Sequence, residues 1–281
     1  MIIWIASYPK SGNTWVRSLI SLLLFSKDGI MHNFELLDTI DQYPTKKYFK
    51  NLVKDFNDGF EIQKNWIPSQ KIINKDKKIK LFKTHHIYCK YGNHAFTDSL
   101  NTMGVIHVVR DPRNLILSIK KLWSLKDNYE AMSKLLDAQN ATGMKIEKDK
   151  DYSFPVMISS WKNHYNAWKK IKKNYLLIRY EDIIENPKLQ IINIANYLKK
   201  FFKFDINDKK IQNIVNTTSF NHFQKLEAKG FFNEANLDQN GIPQTFFNNG
   251  PKMNYQNKLK TEIYKKIENE LLTEMKELNY F

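Results

Sequence analysis

The residue types best suited to chemistry stand at the start of the chain, in Tyr8-Pro9-Lys10-Ser11-Gly12-Asn13-Thr14-Trp15. An apolar run, residues 1–6, precedes them, and a second one, residues 16–25, follows, interrupted by Arg17, Ser18 and Ser21. The pattern predicts a buried strand, a tight loop and a helix. The loop thus brings one ammonium, one glycine and several hydroxyl and amide groups to a helix N-terminus, where unpaired backbone N–H groups and the helix dipole favour an anion. It reads as a phosphate cradle.

Three further polar clusters follow apolar runs. Lys83-Thr84-His85-His86 follows residues 79–82, and Arg110-Asp111-Pro112-Arg113-Asn114 follows the β-branched run 104–109. Arg179-Tyr180-Glu181-Asp182 follows residues 175–178. A guanidinium suits a dianionic phosphate, and an imidazole titrates near neutrality and can serve as a general base. Alternation along an extended chain sends His85 and His86 to opposite sides, so one of the two is structural.

The elements that must carry these clusters are strands followed by helices, the signature of an α/β fold with a parallel sheet. In such folds ligands bind beyond the carboxyl ends of the strands. Residues 115–123 read as an apolar helix. Residues 27–78 read as helical fragments with breaks at Pro44 and Pro68, and 129–151 as a helix followed by a loop. Trp161, Tyr165 and Trp168 recur at helical spacing within 160–173, as a core stripe does. Residues 189–198 read as an amphipathic helix introduced by Asn186-Pro187. Thr217-Thr218-Ser219-Phe220 opens another helix, 229–254 is a loop, and 258–278 is an amphipathic helix carrying Ile263, Ile267, Leu271 and Met275.

Nothing in the 281 residues reads as a linker or a repeat, so a single domain spanning 1–281 is expected. The formal charge of +15 fits a nucleic acid, an anionic membrane or an anionic small molecule. The lysines are spread through solvent-facing runs such as Lys75-Asp76-Lys77-Lys78, which fits compositional bias better than a dedicated polyanion surface, and no nucleic-acid partner is expected. A lone cysteine, Cys89, excludes an internal disulfide. The N-terminus lacks a basic n-region, residues 19–25 are too short to span a membrane, and a cytoplasmic protein is expected.

The nucleotidase P-loop, Gly-x-x-x-x-Gly-Lys-Ser/Thr, places its lysine after the second glycine and its hydroxyl on Mg²⁺. Here Lys10 precedes Gly12, the first glycine position is absent, and no apolar strand ends in a clear Mg²⁺-holding aspartate except by stretching Asp111. The loop therefore suits phosphate binding and a metal-free transfer better than ATP hydrolysis.

The loop at residues 8–15, Lys83-Thr84-His85, Arg110 with Ser118, Tyr180-Glu181-Asp182 and Thr218-Ser219-Phe220 occur in the order found in cytosolic sulfotransferases. The chain resembles that family over nearly its whole length. The resemblance implies a three-layer, P-loop-like α/β fold with a central parallel sheet flanked by helices. It also implies transfer of a sulfonate from 3′-phosphoadenosine-5′-phosphosulfate (PAPS) to a hydroxyl or amine, leaving adenosine 3′,5′-bisphosphate (PAP), with no metal required. By that resemblance the catalytic set is His85, Lys10, Lys83 and Ser118. His85 is the base, Lys10 steadies the leaving phosphate and Lys83 the sulfonate in transit. Ser11, Gly12, Asn13 and Thr14 surround the 5′-group, Trp15 stacks on adenine, Arg110 and Ser118 hold the 3′-phosphate, and Tyr180, Thr218 and Phe220 line the adenine pocket.

The chain departs from the family in its late loop. Phe247-Asn248-Asn249-Gly250 stands where an arginine-containing stretch closes the 3′-phosphate site. Gly250 still offers backbone N–H groups, but Asn248 is neutral, which leaves Lys252 or Lys229 to compensate. The usual Leu-Pro after Lys-Thr-His is replaced by His86-Ile87. The acceptor, a small molecule, lipid or carbohydrate, is not specified by the segments expected to roof its pocket, 33–68, 129–151 and 229–249; nor is the oligomeric state. A nucleotide or small-molecule kinase and a non-catalytic basic relative remain as alternatives.

Overall fold

Six consecutive buried residues have no face to offer water, and they form strand β1 (Ile2–Ser7). The computed structural model describes residues 1–142, 154–234, 244–248, 250 and 254–281. After β1 come α1 (Asn13–Phe25), β2 (Asp41–Gln42), α2 (Gly59–Lys64), α3 (Trp66–Ile73), β3 (Lys80–Thr84), β4 (Lys90–Tyr91) and β5 (His94–Ala95). The chain continues with β6 (Thr102–Val109), α4 (Pro112–Leu122), α5 (Asn128–Leu136), β7 (Ala141–Thr142), β8 (Val156–Met157) and α6 (Trp161–Trp168). It ends with β9 (Tyr175–Arg179), α7 (Tyr180–Glu185), α8 (Pro187–Leu198), α9 (Asp208–Thr217), α10 (Phe220–Ala228), α11 (Thr261–Glu270) and α12 (Leu272–Glu277). The fold is α/β, with a central parallel sheet of order β2-β3-β1-β6-β9 flanked by helices. Two short antiparallel pairs, β4-β5 and β7-β8, accompany it. Among the described residues no helix is long and apolar enough to cross a membrane.

The chain forms two compact units: residues 1–9, 41–109 and 133–177, and residues 10–40, 110–132 and 178–281. In the first, β1 pairs in parallel with β3 and β6, so Trp4 stands level with Phe82 and Val105. Ile2, Trp4, Ala6, Phe82 and Val105 belong to one aromatic core. The Trp4 ring lies 5.5 Å from Tyr43, 5.5 Å from Phe96 and 6.3 Å from Trp168, and its Nε1 donates to Thr102 Oγ1 at 2.9 Å. The 161, 165, 168 stripe is a core stripe, as its spacing predicts: all three side chains are buried on α6, and Trp168 Nε1 donates to the His86 carbonyl at 3.0 Å.

The second unit holds α1, buried from Asn13 through Leu23. The serine at 18 is accommodated because its hydroxyl donates back to the Thr14 carbonyl at 2.9 Å. At the head of α4, Asp111 accepts the Arg113 N–H as a helix cap and also accepts from the Arg113 guanidinium at 2.7 Å. The same guanidinium meets Glu268 of α11 at 2.7 Å and the Tyr280 carbonyl. Removing one member of so buried an ion pair leaves an uncompensated charge.

Several boundaries differ from the sequence pattern. The first helix starts at Asn13, because polar Asn13 and Thr14 belong to its buried first turn. The 258–278 pattern is two helices, α11 and α12, interrupted at Leu271. Thr217 closes α9, and Ser219 caps α10 by accepting the His222 N–H. The edge strand β2 is two residues long, too short to leave a period. The segment 143–153, part of the expected loop after α5, lies outside the described residues.

Three buried histidines make the first unit acid-sensitive. His86 stacks on Phe96 with ring centroids 4.2 Å apart, and burial lowers its pKa to about 4. Burial lowers His107 to about 3, and lowers His164 well below the ordinary value, with His107 and His85 adding to the effect. The unfolded chain takes up these protons below about pH 6.5, whereas the folded chain does not until far lower, so stability is full above that pH and falls as the solution is acidified. Urea unfolding followed from pH 7 to pH 5 should show a falling midpoint. His86→Phe should reduce the slope between pH 6 and 5 by about 1 kcal/mol per pH unit.

Candidate active site

The 8–15 loop turns because two residues adopt the left-handed conformation, Lys10 at φ 68° and Gly12 at φ 100°. Glycine is required at 12 for a second reason: a Cβ there would sit 2.6 Å from Cδ2 of Tyr180. Gly12 is the N-cap of α1 and supplies no side-chain cap, and the first turn carries no acidic residue. Other helices of this chain do have such caps, from Asp111, Ser160, Asn186, Asn207 and Ser219. Ser11 is fully buried, and its Oγ has no hydrogen-bond partner. A buried hydroxyl without a partner beside an uncapped helix N-terminus fits an anion.

Lys10 is crowded by like charges. Burial, then Arg110 and then Lys121 lower its ammonium pKa to about 8, while Glu227 acts in the opposite sense. The Nζ lies 3.6 Å from the centre of the Phe246 ring. Arg110 donates to the carbonyls of Lys10 at 3.3 Å and Gly250 at 3.4 Å, and its guanidinium lies 4.1 Å over the Tyr180 ring. These residues, all in the second unit, can hold a multiply charged phosphate ester.

Around them the second unit supplies aromatic surface. Trp15 lies edge-on to Tyr180 at 5.5 Å and to Phe223 at 6.3 Å, with its Nε1 buried and unpartnered. Asn13 and Thr14 are buried in the same turn. Gly250, at φ 43°, faces Phe220 so closely that a Cβ would fall 2.2 Å from the ring. Thr218 is buried, and its hydroxyl donates to the Ile214 carbonyl at 2.7 Å. Ser118 is half-buried on α4, and Asn248 is exposed. Asn249 and Lys252 lie outside the described residues, and Lys229 is exposed at the end of α10.

Lys83 and His85 belong to the first unit. Lys83, on β3, stands level with Ile5 of β1. Nδ1 of His85 is 2.8 Å from the Ser7 carbonyl and 3.2 Å from the Ser7 hydroxyl. A carbonyl only accepts, so Nδ1 carries the proton, and in the neutral ring the lone pair is on Nε2. His86 goes the other way. It is fully buried between Phe96 and Trp66, and its Nδ1 is 2.7 Å from the Ile87 carbonyl. Of the two histidines, His86 is the core residue.

Several residues at these positions carry no mark in the sequence. Phe246 covers Lys10, and the Glu227 carboxylate accepts the N–H groups of Phe246 and Phe247. Lys121 donates to the Thr245 carbonyl at 2.7 Å. Arg17, buried in α1, pairs with Glu234 at 2.7 Å. Each contact spans over a hundred residues or joins a loop to a helix, and no local spacing rule encodes it. The one available signal was an arginine amid the apolar residues of the first helix.

Comparison with known proteins identifies the family. The Sulfotransferase domain family matches residues 2–279. The amine sulfotransferase of Oryctolagus cuniculus is 25% identical over 82% of this chain and 65% of its own length. Sulfotransferase 1 family member D1 of Mus musculus is 22% identical over 98% of this chain and 83% of its own. The chain thus spans just under two thirds of the first relative and more of the second. In fold it is similar to the crystal structure of mouse sulfotransferase SULT7A1 complexed with PAP, with a TM-score of 0.59, 18% identity, and coverage of 97% of this chain and 84% of that one. The chain belongs to the PAPS-dependent sulfotransferase family of enzymes.

Proposed function

We propose that this protein transfers a sulfonate group from PAPS to a hydroxyl or amine of a small-molecule, lipid or carbohydrate acceptor, working as one catalytic domain in the cytoplasm. The observation that carries the reading is the loop at 8–15. Its buried, unpartnered Ser11 hydroxyl and uncapped helix start lie beside Lys10, which has Arg110 and Lys121 as like charges and Glu227 as a countering acid. The residues present fit the donor. Ser11, Gly12, Asn13, Thr14 and Lys10 would hold the 5′-group, Arg110 and Ser118 the 3′-phosphate, and Trp15, Tyr180, Thr218 and Phe220 the adenine, with Gly250 and Asn248 beside the nucleotide. When bound, PAPS supplies an activated sulfur whose bond to the phosphate oxygen breaks as the acceptor attacks.

In this reading His85 takes the acceptor proton on Nε2, with the Ser7 carbonyl holding the proton on Nδ1. Lys83 stabilises the negative charge on the sulfonate in transit, and Lys10 the charge that accumulates on the departing phosphate. Asp111 has another task, since it caps α4 and pairs with Arg113.

The direct test is calorimetry with PAP and with ATP, each in EDTA, together with transfer of labelled sulfonate from PAPS to acceptor panels. PAP binding without metal, and transfer to at least one hydroxyl or amine acceptor, is the expected result. Metal-independent ATP binding with no PAP binding would overturn the proposal in favour of a nucleotide kinase.

His85→Ala should abolish transfer, losing at least about a hundredfold in kcat while PAP affinity stays within a few-fold. Arg110→Ala should instead weaken PAP, by roughly tenfold to a hundredfold. If His85→Ala turns over normally, His85 is not the base.

Lys10 adds a pH dependence. Its charge is present below its pKa of about 8 and is lost above it. PAP affinity should therefore fall as pH rises through about 8, approaching tenfold per unit, with proton uptake on binding at pH 8.5. Calorimetry in two buffers of different ionisation enthalpy measures that uptake, and Lys10→Met should remove it.

A further inference from the structure

Helix α4 and its lead-in display more than the two groups that the family pattern assigns to them. Asn114, Ser118 and Lys121 are spaced by four and three residues, so they share one helical face. That face lies against the C-terminal part of the second unit: Asn114 Oδ1 accepts the Tyr255 N–H at 3.1 Å, and Lys121 Nζ donates to the Thr245 carbonyl at 2.7 Å. Arg110, just before the helix, donates to the Gly250 carbonyl. Two cations from one helix and its lead-in thus hold two main-chain carbonyls of the same late segment, on either side of Asn248. Asn248 is the neutral residue where the family pattern carries a guanidinium, and it is exposed.

We propose that Lys121 is a third cation of the nucleotide site and binds the 3′-phosphate of PAP and PAPS together with Arg110 and Ser118. It takes over the charge that Asn248 does not supply. The inference rests on the proposed sulfotransferase reading. The Lys121 side chain is half-buried, on the same face as Ser118 and one turn beyond it. Its charge reaches Lys10, as does that of Arg110, with Glu227 as a countering acid. A neutral carbonyl such as that of Thr245 is a weaker partner for an ammonium than a phosphate dianion, so binding exchanges the first for the second. Lys229 is exposed at the end of α10 and makes no such approach to α4 among the described residues.

The experiment is calorimetry on the full chain with PAP and with AMP, which lacks the 3′-phosphate, for wild type, Lys121→Met and Lys121→Arg. Lys121→Met should lose roughly ten- to thirtyfold in PAP affinity and less than about threefold in AMP affinity, and Lys121→Arg should recover most of the loss. The dependence of PAP affinity on salt should also become shallower in Lys121→Met. PAP affinity within threefold of wild type in Lys121→Met would overturn the inference. So would equal losses for PAP and AMP, which would mark Lys121 as a support for the late segment instead. Wild type that binds no PAP would overturn the sulfotransferase reading itself, so the two failures are distinguishable.

Discussion

Burial of β1 on both faces is the constraint from which the rest follows. Ile2, Ile3, Trp4, Ile5 and Ala6 are all excluded from solvent, so the strand offers no polar side chain before Ser7. Polar groups must enter where the strand stops, and Lys10, Ser11, Asn13 and Thr14 do so within seven residues of its end. The same rule applies to β6, where Val108 and Val109 give way to Arg110, whereas β3 already carries Lys83 within the strand, ahead of His85. A parallel sheet needs such strands, because backbone pairing alone does not offset the entropy of ordering them.

The charges follow a division of labour visible within four residues. Arg113 meets two carboxylates, Asp111 and Glu268, and raises no demand for a ligand. Arg110 meets main-chain carbonyls and the face of Tyr180, in company with Lys10 and Lys121. The first arrangement is close to electrically complete and fixes the start of α4 against α11. The second accumulates like charge at a cost in stability, the usual mark of a place prepared for an anion. Glu181 stands between the two: its carboxylate accepts the Asp111 N–H and lies within electrostatic reach of Arg110, and burial pushes its pKa up.

What could be read from sequence was what short-range physics encodes. The 8–15 loop, the β-branched run ahead of Arg110 and the aromatic stripe on α6 all declare themselves by type and spacing. So did the opposite directions of His85 and His86, because alternation is a local rule, although only the packing of His86 on Phe96 identified which of the two is the core residue. The break between α11 and α12 was missed because Leu271 continues the apolar period through it. The contacts of Phe246, Glu227 and Lys121 were not legible, since a lysine on a polar helix face looks the same whether it meets water or the carbonyl of a residue 124 positions away.

The bond between His85 and the Ser7 carbonyl has a consequence for how such a site persists through sequence change. The group that selects the imidazole tautomer is a peptide oxygen, and every amino acid at position 7 would supply it. Substitution there can alter the hydroxyl but cannot delete the acceptor; only a shift in the path of β1 can. A determinant of proton placement is thereby stored in backbone geometry, where it leaves no letter in the sequence and is passed on silently for as long as the two strand ends stay side by side.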